Sequence, residues 1–197
     1  MPAEQSQHKS PAVLILIDVI NHFEFPDGKS VLRHALPIAP KLAHLKKRAQ
    51  AARLPIIYVN DNFGQWRSDA SNLVNYCVRP EAVGKQFVEQ LQPDKNDYFV
   101  LKPMHSGFYQ TPLEILLRYL GASTLVLCGL ATNSCIVCTA HDAKMRKFHL
   151  WVPSDCSAAR TAKEHTRAIE HIRTMTDATV TPSGSLRLNE IAKKARG

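Results

Sequence analysis

Ala12-Val13-Leu14-Ile15-Leu16-Ile17 is a run of six apolar residues without polar alternation, and Asp18 follows it directly. A strand with one solvated face alternates apolar and polar side chains, so an unbroken run fits a strand covered on both faces, as at the centre of a parallel sheet. Further along, Ile38, Leu42, Leu45, Ala49 and Ala52 recur at helical spacing, and Leu54-Pro55 ends that helix before a second apolar run, Ile56-Ile57-Tyr58-Val59. This is a βαβ unit. The alternation continues with a strand at Tyr98-Phe99-Val100-Leu101. A helix follows, opened by Thr111-Pro112, carrying Leu113, Leu116, Leu117 and Leu120 inward, and closed by Gly121. A buried strand over residues 124–129, a helix over 135–145 and a strand over 148–152 come next. The chain ends with a helix carrying Ala168, Ile169, Ile172 and Met175, a short strand at 178–180 and a basic tail. Residues 60–78, polar with interspersed aromatics, read as a functional loop region, with some helix near 83–91.

Alternating strands and helices imply right-handed crossovers and a three-layer α/β/α fold. Its sheet is expected to be mostly parallel, doubly wound (Rossmann-like) and about six strands wide. One domain over residues 11–197, preceded by a flexible tail over 1–10, accounts for the whole chain. Composition agrees: 197 residues with 45% hydrophobic and 21% charged side chains suffice for one buried core. No apolar run approaches the ~20 residues of a membrane span, and the opening MPAEQSQHKSP lacks a signal peptide's apolar stretch, so a cytosolic protein without a membrane partner is expected. Five cysteines, an odd number, read as reduced thiols. The formal charge of +8 is spread along the chain. Its clusters, Lys46-Lys47-Arg48 and Lys193-Lys194-Ala195-Arg196, are not interleaved with aromatics, which favours a solvated face over a nucleic-acid site.

In parallel sheets functional groups collect beyond the carboxyl ends of the strands. Three reactive side chains stand there: Asp18 after the first run, Lys102 after Leu101, and Cys135 opening the helix after the strand at 124–129. A helix N-terminus and an ammonium both stabilise a thiolate, so Cys135 is a candidate nucleophile that should label faster than Cys77. Asp18, desolvated at the mouth of a buried strand, is a candidate proton acceptor, and Lys102 would orient the pair. Singly, each has a plainer explanation: a turn residue, a surface cation, a packed thiol.

The stretch KPMHSGFYQTPLEILLRYLGASTLVLCGLATNSCIVCTAHDAKMRKFHLWVPSDCSAA, from Lys102 to Ala159, resembles the isochorismatase-like cysteine hydrolases. Asp18 with Asn21-His22-Phe23 is similar to that family's first motif. The resemblance implies a triad of Asp18, Lys102 and Cys135, a cis peptide between Leu130 and Ala131, and an oxyanion hole from the N–H groups of Ala131 and Cys135. Nicotinamidases of the family hold a metal through an Asp and histidines after the second strand. Here Asp61 is followed by Asn62, Phe63 and Gly64, so neither a metal nor a cofactor is expected. True isochorismatases lack the nucleophilic Cys, so Cys135 directs the resemblance toward acyl chemistry. A small amide, ureido or related carbonyl substrate is implied, cleaved through a thioester by a homo-oligomer.

Other features admit weaker readings. Cys135 and Cys138 form a Cys-x-x-Cys pattern, but no second cysteine pair supplies zinc ligands, and Cys138 is expected to be buried one turn along the helix. None of the nine histidines forms a ligand-spaced pair within one helix with a third partner. His22 and His105, each shortly after a triad residue, are pocket candidates. So are Phe23, Asn62, Trp66, Phe108 and Thr132. The alternative to an enzyme is a non-catalytic binding protein on the same fold, holding an acidic partner through its positive charge.

Overall fold

The computed structural model describes residues 9–67 and 69–194 of the 197. The chain forms a six-stranded sheet of β1 (Ala12–Ile17), β2 (Ile56–Asp61), β3 (Tyr98–Lys102), β4 (Thr124–Leu130), β5 (His149–Trp151) and β6 (Ser157–Ala158). The strand order is β3-β2-β1-β4-β5, β6 pairs with the end of β4, and every pairing is parallel. The first quoted run is the central strand: Ile17 stands opposite Val59 on one side and Gly129 on the other.

Each face of the sheet has its own core, sorted by alternate residues of the strands. Leu14, Leu16, Tyr58, Val126 and Cys128 face α1 (Gly28–Ala35), α2 (Ala39–Ala51), α3 (Ala70–Val78) and α4 (Lys85–Val88). Val13, Ile15, Ile17, Ile57, Val59, Leu125 and Leu127 face α5 (Leu113–Leu120), α6 (Val137–Met145) and α7 (Ala162–Thr176). A final helix, α8 (Leu188–Lys194), occupies the expected basic tail, whose residues 195–197 lie outside the described ones.

Several elements depart from the sequence expectation. Helix starts at Gly28, well before Ile38, and passes through a 3-10 turn (Leu36–Ile38) into α2. The expected loop at 60–78 contains α3, capped by Asp69, whose carboxylate accepts the Asn72 N–H at 2.8 Å. The expected strand at 178–180 shrinks to a single bridge between Thr179 and Trp151, while β6 is an unexpected addition. Of the N-terminal tail, residues 1–8 lie outside the described ones. Ser10 is already buried, its N–H donating to Leu120 O at 2.8 Å.

After β3 the chain crosses to the far side of β1 to begin β4, so the winding reverses between β1 and β4. At such a switch point the connections diverge and leave a crevice beyond the strand ends. Gly129 lets β4 close on β1 there. Its φ is 119°, and a Cβ would lie 2.0 Å from Ile17 O. Gly129→Ala is expected to cost at least about 2 kcal/mol, read as a lower urea midpoint. An unchanged midpoint would mean that this close approach is not required.

Candidate active site

The crevice is furnished by the residues that end β1, β3 and β4. Asp18 leaves β1 in the left-handed backbone region (φ 51°), which Asp tolerates better than most residues, and is buried. Its Oδ1 accepts the backbone N–H of Asp61 at 2.7 Å, and its Oδ2 lies 2.9 Å from Lys102 Nζ. Asn60 fixes the loop after Asp18. It is fully buried, accepts the Ile20 N–H at 3.2 Å and donates to Ile20 O at 2.6 Å. Sequence reasoning missed this clamp, although a polar residue closing an apolar run was its signal.

Lys102 is completely buried at the end of β3. Besides Asp18, its ammonium meets Met104 O at 3.1 Å, Cys135 Sγ at 3.5 Å and Asp61 Oδ2 at 3.6 Å. Cys135 sits in a π-helical turn (Thr132–Ile136) that joins β4 to α6. The peptide Leu130-Ala131 is cis, and Ala131 is extended while its carbonyl accepts the N–H groups of Ser134 and Ile136. The three side chains nominated from strand ends, 84 and 33 residues apart in sequence, therefore share one cluster.

Charge in this cluster is set by burial and mutual contact. Burial raises the Asp18 carboxyl above its ordinary value, against the pull of Lys102 and a hydrogen bond with Cys135. Burial alone would lower Lys102, but Asp18, Cys135 and Asp61 more than offset it and hold the ammonium above the usual lysine value. The Cys135 thiol is pushed up to about 12 by burial and then by the Asp18 charge, which together outweigh Lys102. Burial and the facing Asp18 charge thus favour the protonated thiol, and Asp18 is the group placed to accept its proton.

Lys102→Met removes the cation beside a buried carboxylate. A loss of about 3 kcal/mol or more is expected at mildly alkaline pH, shrinking toward acid as Asp18 takes up a proton. Urea midpoints across pH would reveal it. A constant loss at all pH values would mean that Asp18 is not the group left uncompensated.

The expected pocket residues scatter. His22 lies among aromatic rings, meeting Phe63 edge-on at 4.5 Å and Tyr76 at 5.6 Å. Its Nδ1 accepts the Glu24 N–H at 2.8 Å, and burial lowers its pKa, so the neutral Nε2–H tautomer is favoured. Asn62 caps the turn after β2, accepting the Gly64 N–H. Phe23 packs against Phe87 in one core, whereas Phe108 stacks on Phe148 in the core across the sheet, so the two form no common wall. Trp66 is 79% exposed. Thr132 is buried, its hydroxyl 2.8 Å from His165 Nδ1 on α7, a partner that sequence spacing did not reveal. His105 is exposed and lines a groove of about 400 Å³ with Met104, Tyr109 and Met145. Cys138 is half-buried in that groove instead of enclosed. Two wider clefts, of about 810 and 920 Å³, open at the amino ends of β2 and β3 and of β4 and β5, on the opposite edge from the cluster.

Known proteins share this fold. The isochorismatase domain profile matches residues 12–183. An uncharacterized isochorismatase family protein of Bacillus subtilis (strain 168), YaaI, is 34% identical over 173 residues, 88% of this chain and 94% of that protein. Ureidoacrylate amidohydrolase RutB of Methylobacterium radiotolerans is 28% identical over 187 residues, covering 82% of this chain and 72% of that enzyme. Among solved structures, an isochorismatase family protein from Desulfovibrio vulgaris superposes with a TM-score of 0.73 at 25% identity, over 90% of this chain and 96% of that one. N-carbamoylsarcosine amidase from Thermoplasma acidophilum gives 0.67 at 25% identity, over 89% and 98%. With a profile running from β1 to residue 183, and a relative 34% identical across 94% of its own length, this chain belongs to the isochorismatase family of hydrolases.

Proposed function

We propose that this chain is a metal-independent cysteine hydrolase acting on a small amide, ureido or related carbonyl compound, with Asp18, Lys102 and Cys135 as its catalytic triad. The observation that carries the reading is the single ammonium of Lys102 lying within 2.9 Å of the Asp18 carboxylate and 3.5 Å of the Cys135 sulfur. Asp18 takes the thiol proton as Sγ bonds to the carbonyl carbon, so the nucleophile forms only as it is used. The resulting oxyanion is held by the N–H groups of Ala131 and Cys135 at the turn out of β4. Collapse expels the amine, which leaves with the proton from Asp18. Water, deprotonated by Asp18, then attacks the thioester. The C–S bond breaks, and the proton returns to sulfur.

Relatives named for ureidoacrylate and N-carbamoylsarcosine hydrolysis both act on a carbonyl flanked by nitrogen, which supports the ureido and amide class. His22, with Nε2–H free to donate beside the Phe63 and Tyr76 rings, is proposed to line the pocket. His105 lies across the loop from Lys102 and is proposed to face the groove, not the triad. The five unpaired thiols suit a reducing cytosol. Homo-oligomerisation belongs to the same proposal, with the exposed Met104, Tyr109 and Met145 as a surface that a second copy would cover.

Ammonia or amine release across a panel of ureido acids and small amides tests the class. Acid-quenched reactions should carry an acyl adduct on the Cys135 peptide by mass spectrometry. Turnover with no adduct, under conditions where deacylation is slowed, would remove the thioester from the mechanism.

A further inference from the structure

α6 and α7 lie side by side and bring two histidines together, His141 also lining the groove of Met104, Tyr109 and Met145. His141 Nε2 and His171 Nε2 are 2.9 Å apart, with ring centroids at 5.0 Å and planes inclined at 51°. Thirty residues separate them in sequence and they stand on different helices, so ligand spacing within one helix does not reveal the pair. In the absence of an ion, one ring donates a proton to the other. Two imidazole nitrogens that share a proton can instead share a metal ion once the donor ring carries its proton on Nδ1, which leaves an Nε2 lone pair on each ring.

We propose that His141 and His171 form a two-histidine chelate for a divalent late transition metal of the nickel and copper kind. The separation is compatible with that class of ion. Imidazole nitrogens bind such ions at ~2.05 Å, and donors 2.9 Å apart at that distance subtend about 90° at the metal, the cis angle of square-planar and octahedral sites. Tetrahedral zinc would need about 3.3 Å between them. His171 is exposed and His141 half-buried at the groove, outside both sheet cores, so each ring can turn its lone pair toward a common point without disturbing the core. Neighbouring carboxylates are engaged elsewhere: Asp142 with Ser106 and Arg146, Glu170 with Arg173. Among the described residues no group of three His, Cys, Asp or Glu side chains is gathered for a metal. The pair therefore supplies two ligands, and water completes the shell.

The expected consequence is mechanical. A metal joining α6 to α7 pins the helix that continues from the Cys135 turn to the helix whose His165 holds Thr132 of that turn. Binding to the folded chain alone raises its stability.

Tag-free full-length protein would be titrated with Ni2+ by calorimetry and melted with and without it, nickel being chosen because copper oxidises thiols. Wild type should bind one equivalent and melt at a higher temperature. His141→Gln and His171→Gln, made separately, should each weaken binding roughly tenfold or more and abolish the shift in melting temperature, while leaving the metal-free melt close to that of wild type. Wild-type affinity in either variant, or no binding by wild type, would overturn the proposal. Hydrolysis is not the readout, so failure of the triad reading would leave this test intact.

Discussion

Cys135→Ala is expected to abolish hydrolysis of whatever carbonyl substrate the panel identifies, lowering kcat by at least about 10⁴-fold. The loss should be this large because the sulfur forms and breaks the covalent bond, and among the described residues no other thiol is in contact with Lys102 to replace it. Cys138, three residues along in α6, is the natural control. It opens to the groove with Met104 and Met145, and Cys138→Ala should leave turnover within a few-fold of wild type. The cost to folding should be modest, since Cys135 is only half-buried, and equal melting temperatures would separate a chemical loss from a structural one. Substantial turnover by a folded Cys135→Ala protein would end the covalent mechanism.

Asp18→Asn should lower kcat by about 10³-fold while changing the thiol in the opposite sense. In the native cluster, burial and then the Asp18 charge push Cys135 up to about 12. Removing that charge leaves Lys102 as the nearest ion, so the thiol becomes easier to ionise just as the enzyme becomes slower. Ultraviolet titration of thiolate absorbance in both proteins would record a downward shift for Cys135 in the variant. An unchanged titration would mean that Asp18 does not face the sulfur electrostatically. The same carboxylate must be ionised to act as a base, so the acid limb of kcat/KM should lie above the ordinary carboxylate range, because burial raises Asp18. The stability slope has a definite sign as well. The folded chain holds this proton more tightly than the unfolded chain, so as pH rises from 3.8 through the raised value, ionising Asp18 lowers stability. Asp18→Asn should remove that slope.

The sheet was legible because its strands are apolar on both faces. Runs such as 12–17 and 124–129 cannot be placed at a solvated edge without exposing one row of side chains. The helix at Gly28–Ala35 was not, because GKSVLRHA buries only Gly28, Val31 and Ala35 and opens with residues typical of turns. β6 is two residues long, too short for any periodicity. At the site, the types and positions of Asp18, Lys102 and Cys135 were accessible from strand ends, but their protonation was not. A helix terminus and an ammonium argued for thiolate, and only the depth of burial and the direct facing of Asp18 reverse that balance. Asn60, His165 and the His141–His171 pair escaped notice for a common reason. Each acts across elements distant in sequence, and the single residue carries no local pattern.

The order in which the triad is encoded bears on how the protein is made. β1, β2 and β3 are synthesised before β4, so Asp18 and Lys102 both precede the sulfur, which follows Lys102 by 33 residues. When β4 docks beside β1, burial and the Asp18 charge raise the Cys135 thiol above its ordinary value, so the last strand to join the triad brings a sulfur that ionises less readily once docked than before.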